Sequence, residues 1–121
     1  WNKYLIIFAN VIFTLKMKYK HNILLEIKRL IKERDSSAKI YLYGSRAKGN
    51  AHKESDWDIL VLLQREKITP EIETEITDPL YELEFETGEV ISPMIYTESE
   101  WNSRYRVTPF YRNVMMEGKL L

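Results

Sequence analysis

Five consecutive aliphatic residues, Ile59-Leu60-Val61-Leu62-Leu63, follow directly on Asp56-Trp57-Asp58. A strand with one wet face alternates apolar and polar side chains, whereas an unbroken aliphatic run reads as a strand buried within a layered fold. Two carboxylates therefore sit at the mouth of a buried strand. Being two residues apart, they leave the same face, roughly 6–7 Å from each other along the chain, and Trp57 points the other way. Gly44-Ser45, ten residues upstream, closes a second β-rich run over 39–43.

The rest of the chain supplies helices for such a sheet. Ile23, Leu24, Ile27, Leu30 and Ile31 predict an amphipathic helix over 20–34, ended by Asp35-Ser36-Ser37. Residues 46–55 read as a short helical turn plus loop. Thr69-Pro70 opens another helix, with Ile72, Ile76, Leu80 and Leu83 as its apolar stripe and Gly88 as its stop. Pro79 predicts a kink or restart near Asp78. A third strand is expected over 90–96, at an edge or bulged, because it contains Pro93. Thr108-Pro109 opens a last helix that stops at Gly118. The stripe of Tyr105, Phe110, Tyr111 and Met115 reads as core. The resulting fold class is α/β (α+β), a small mixed β-sheet with helices packed on one side.

At 121 residues the chain has room for one domain. Its 18 Lys plus Arg balance 18 Asp plus Glu, so no global field gathers nucleic acid or an anionic membrane. The charges are nevertheless segregated. Positions 16–53 are rich in Lys and Arg, whereas every charged residue between positions 67 and 104 is acidic. The acidic run on 71–89 reads equally as a solvated helix face or as a surface opposing a basic partner. The absence of cysteine excludes disulfides and thiolate metal sites. His21 and His52 are isolated and read as surface residues. The apolar stretch from Tyr4 to Leu15 falls short of the ~20 residues that span a bilayer. Residues 1–16 are expected to be an extension without chemistry of its own, the alternative being a short membrane-associating anchor.

The paired carboxylates repel each other and lose hydration near the sheet, a conflict that a divalent cation removes. Magnesium favours one or two carboxylates together with phosphate oxygens and water. Gly44 lets the backbone approach a phosphate, and the amides after it, with the Ser45 hydroxyl, offer donors. Arg46, Lys48 and Lys53 add cations on the connecting loop. Turn, cations and carboxylates converge on one anionic, cation-bound ligand.

From Gly44-Ser45-Arg46-Ala47-Lys48-Gly49 to Ser55-Asp56-Trp57-Asp58-Ile59-Leu60-Val61, the chain resembles the nucleotidyltransferase superfamily related to DNA polymerase beta. More narrowly, it is similar from about residue 20 onward to the minimal nucleotidyltransferases of prokaryotes, so 17–121 is expected to form that domain. The resemblance implies ATP held by Gly44 and Ser45 with Arg46 assisting, and Mg2+ held by the catalytic Asp56 and Asp58. It further implies a cytoplasmic antitoxin role beside a HEPN-domain partner, in some members by transfer of AMP onto that partner. Neither nucleic acid nor membrane is an expected partner, and association with itself or another chain is left open. One departure stands out: Ser92 occupies the position of the family's third acidic residue, and nearby Glu89 falls on the opposite face of a regular strand. That favours a second reading, a catalytically inactive adaptor that neutralises its partner by binding alone.

Overall fold

The computed structural model describes residues 2–52 and 55–121, without the side chains of 16–21. Four strands, β1 (Lys39–Tyr43), β2 (Trp57–Leu63), β3 (Ile91–Thr97) and β4 (Lys119–Leu120), form one sheet in the order β3-β2-β1-β4. β2 runs antiparallel to β1 and parallel to β3, and β4 is antiparallel to β1. The sheet is mixed, as the order of elements implies.

β2 explains the layering. Ile59 to Leu63 are each at most 3 % exposed, and alternation sends them to opposite faces. Ile59, Val61 and Leu63 join a core with Ile23, Ile27 and Ile31 of α2 (Ile23–Arg34) and Ile76, Leu80 and Leu83 of α4 (Pro70–Thr87). Leu60 and Leu62 join a second core with Trp101 of α5 (Glu98–Asn102) and Val114 of α6 (Pro109–Glu117). Helices thus cover both faces rather than one. An unbroken aliphatic strand requires this, since each face carries apolar surface whose exposure costs about 1.5–3 kcal/mol per large side chain. The second core is aromatic: Tyr96, Tyr105, Phe110 and Tyr111 all have ring contacts with Trp101. Tyr105, Phe110 and Tyr111 are core-packed as their spacing indicates, whereas Met115 is 47 % exposed.

Local chemistry sets the helix ends. The Thr69 hydroxyl accepts from the Ile72 amide (3.2 Å) and that of Thr108 from the Tyr111 amide (3.1 Å), each ahead of a proline at the first helical position. α4 does not restart at Pro79 but runs unbroken through it, and Pro79 is itself buried. Packing of the stripe that includes Leu80 and Leu83 holds the helix together there, against the hydrogen bond that proline removes. Pro93 lies on the edge strand β3, in continuous register with β2 and without a bulge.

The N-terminal reading changes more. The helix expected over 20–34 is two helices, because Asn22 leaves the helical region (φ −125°, ψ 29°) and α2 starts at Ile23. Before it, α1 (Lys3–His21) continues across position 16, with Tyr4, Leu5, Phe8 and Phe13 each more than 60 % exposed. No helix among the described residues is long and apolar enough to cross a membrane.

Candidate active site

The connection from β1 to β2 carries the site. β1 ends at Tyr43, and Gly44 turns the chain with φ 73° and ψ −157°, a conformation essentially closed to residues with a Cβ. A single helical turn follows, α3 (Ser45–Lys48), in which the Ala47 and Lys48 amides bond the Gly44 carbonyl. The Ser45 and Arg46 amides, first in that turn, have no intrahelical acceptor. The loop returns through Ser55, whose hydroxyl accepts from the His52 amide (2.9 Å), and delivers Asp56 to the start of β2.

Register then brings three chain segments together. Tyr43 pairs with Asp58 across β1 and β2, and Asp58 pairs with Ser92 across β2 and β3. The Ser92 hydroxyl donates to Asp56 Oδ2 (3.1 Å), so the two aspartates and Ser92 share one face. A Cβ built on Gly44 would overlap Asp58 Oδ2 and stand 3.2 Å from its Cγ. Gly44 therefore lies directly against this carboxylate. Beside it, a cavity of about 190 Å³ is lined by Tyr43, Gly44 and Lys48, and by Phe110, Asn113 and Glu117 of α6. α6 was not legible as part of this neighbourhood, because only folding brings it over β1.

The electrostatics follow from burial. Asp56 is exposed and Asp58 half-buried. Desolvation, reinforced by the negative charge of Asp56, pushes the Asp58 carboxyl above the usual carboxylate range. Burial, with Asp58 and Tyr96 nearby, pushes the Tyr43 phenol up to about 12, so it stays protonated at neutral pH. A carboxyl whose native pKa exceeds its unfolded value binds its proton more tightly when folded. Stability then falls as pH rises from the unfolded value of 3.8 through the raised native one. The neutral isostere Asp58→Asn is therefore expected to raise the Tm of the cation-free protein by a few degrees at pH 7. The gain should disappear below about pH 3, where both forms are uncharged; thermal melts in chelator across that range check it.

The other candidates divide. Arg46 is turned away from the carboxylates: its guanidinium lies 4.1 Å above the Trp57 ring, bonds the Ser55 carbonyl (2.8 and 3.2 Å) and faces Glu89 (3.7 Å). Lys48 pairs with Glu117 (3.1 Å). Lys53 lies outside the described residues. Glu89 falls behind the sheet, as its odd offset implies, where it accepts from Trp57 Nε1 (3.2 Å). Among the described residues no three acidic, histidine or cysteine side chains gather as a self-sufficient metal cage. Two carboxylates with a raised Asp58 pKa instead fit a magnesium ion that arrives with phosphate oxygens.

Comparison with known proteins places the fold around these residues. The family described as "Polymerase beta, Nucleotidyltransferase" matches residues 25–121. A crystal structure of a toxin–antitoxin with AMP-PNP superposes with a TM-score of 0.54 at 22 % identity, over 78 % of this chain and 68 % of the other. A crystal structure of a mutant of the toxin–antitoxin MntA-HpeT gives 0.52 at 22 % identity, over 79 % and 68 %. No curated protein matches the chain. With the match running from α2 to the last residue and including every element around the two aspartates, the chain belongs to the polymerase beta nucleotidyltransferase family.

Proposed function

We propose that the chain binds ATP with magnesium and transfers AMP to a hydroxyl of a partner protein, a HEPN-domain toxin in the cytoplasm, and so acts as that toxin's antitoxin. The observation that carries this reading is the contact between the Gly44 turn and Asp58, with Asp56 on the same face. Residues 17–121 form the transferring domain, with 1–16 as an extension. The similarity of the fold to toxin–antitoxin crystal structures, one with AMP-PNP, supports the class of partner and donor.

Gly44 and Ser45 hold the triphosphate, the glycine by admitting it to the backbone and the serine through amide and hydroxyl. Asp56 and Asp58 hold the magnesium, which supplies charge neutralisation and alignment when bound. The acceptor hydroxyl oxygen bonds to the α-phosphorus as the α–β anhydride bond breaks. Pyrophosphate leaves, and the hydroxyl proton passes to water. Ser92 cannot accept that proton as a carboxylate would. Its hydrogen bond instead orients Asp56.

Incubating the chain and its toxin with magnesium and ATP labelled at the α-phosphate is expected to label the toxin on a hydroxyl side chain. Ser92 also favours a second reading, in which the chain neutralises the toxin by binding alone. Full inhibition of the toxin without nucleotide, together with no adduct by mass spectrometry after incubation with Mg-ATP, would establish that reading and refute transfer.

A further inference from the structure

Behind the carboxylate face lies a compact cluster of Arg46, Glu89 and Trp57, whose ring also packs against the core. Arg46 and Glu89 are 17 % and 14 % exposed at their side chains. The guanidinium is used three ways: Nε and Nη2 donate to the Ser55 carbonyl, Nη2 faces Glu89 Oε2, and the plane lies over the Trp57 ring. The same Glu89 Oε2 accepts from Trp57 Nε1, and the Trp57 amide bonds the Val90 carbonyl (2.8 Å). Four pieces of chain are tied at one point: α3, the end of the loop, the start of β2 and the approach to β3.

Two of those pieces are the ones whose spacing matters. Arg46 is the second residue of the turn after Gly44, and Trp57 separates the two aspartates on the opposite face. A tie between Arg46 and Trp57 therefore sets, from behind, how far the Gly44-Ser45 corner stands from Asp56 and Asp58. We infer that Arg46, Trp57 and Glu89 are positioning residues, a clamp that fixes corner and carboxylates relative to one another, and that Arg46 does not touch the nucleotide. Guanidinium suits this role because it is planar, stacks on indole and bonds in two directions; an ammonium does none of these as well. The nucleotide-binding arm of this inference rests on the function proposed above.

Arg46→Lys, Arg46→Gln and Glu89→Gln separate the alternatives, with Mg-ATP affinity measured by calorimetry and folding by thermal melts. The clamp predicts that all three weaken Mg-ATP binding by about tenfold, the ordinary cost of losing a group that orients a ligand-holding one. Lysine should rescue nothing, and the Arg46→Gln, Glu89→Gln double variant should lose little beyond either single change. A direct phosphate contact predicts the reverse: Arg46→Lys keeps binding, and Glu89→Gln tightens it by removing a negative charge. That pattern overturns the inference, as does a lower Tm with unchanged affinity. Failure of the unaltered protein to bind Mg-ATP would sink the proposed function and the positioning role with it. The clamp itself is then read from the Trp57 indole N–H resonance, expected to move in Glu89→Gln and not in Ser45→Ala. An indole unmoved by Glu89→Gln refutes the clamp.

Discussion

The Asp56→Ala, Asp58→Ala protein is expected to lose labelled-AMP transfer by on the order of 10³-fold or more while keeping its fold. The two side chains share a face with the Ser92 hydroxyl, and no third acidic or histidine ligand among the described residues stands ready to replace them. Their removal should not unfold the chain. Asp56 is exposed, and the ionised Asp58 is held against its preference by burial and by the charge of Asp56. The melting temperature should hold or rise as activity vanishes, which separates loss of chemistry from loss of structure. Undiminished label on the toxin would refute the proposed mechanism. Toxin inhibition that survives the loss of transfer would move the function to binding alone.

Gly44→Ala is the second large effect, and it strikes folding and the site together. The backbone at Gly44 lies where only glycine is at ease, a strain on the order of 1–3 kcal/mol for any other residue. The new methyl group would also overlap Asp58 Oδ2, so that carboxylate must shift from its place against the turn. Destabilisation of that size in urea unfolding is expected, together with loss of measurable Mg-ATP binding. The two contributions can be separated. In an Asp58→Ala background the overlap is gone and only the backbone strain remains, so Gly44→Ala should cost less there than alone. Equal costs in both backgrounds would mean that the glycine and the carboxylate do not meet.

Much of this was legible because it is local. Period-two alternation places Asp56 with Asp58 and turns Trp57 away, whatever the rest of the chain does. The unbroken run Ile59–Leu63 demands burial, and Thr-Pro pairs open helices because hydroxyl and ring each suit a first turn. The same short-range logic located helix breaks less well. Pro79 leaves α4 whole because the Leu80 and Leu83 stripe is packed against the sheet, and Asn22 divides one apparent helix into two.

The spacing of Gly44-Ser45 from Asp56 and Asp58, the strand character of β1 and β2, and the face on which the acids emerge were determined by the sequence alone, since each depends on residues a few positions apart. Only the tertiary structure decided that helices cover both faces, that Ser92 reaches Asp56, and that α6 walls a cavity beside Gly44. The fate of Arg46 shows why. A cation beside a phosphate-compatible turn reads as a ligand contact until folding supplies Trp57, Ser55 and Glu89 as partners on the far side. Partners that are distant in sequence enter only through the packing that brings them together.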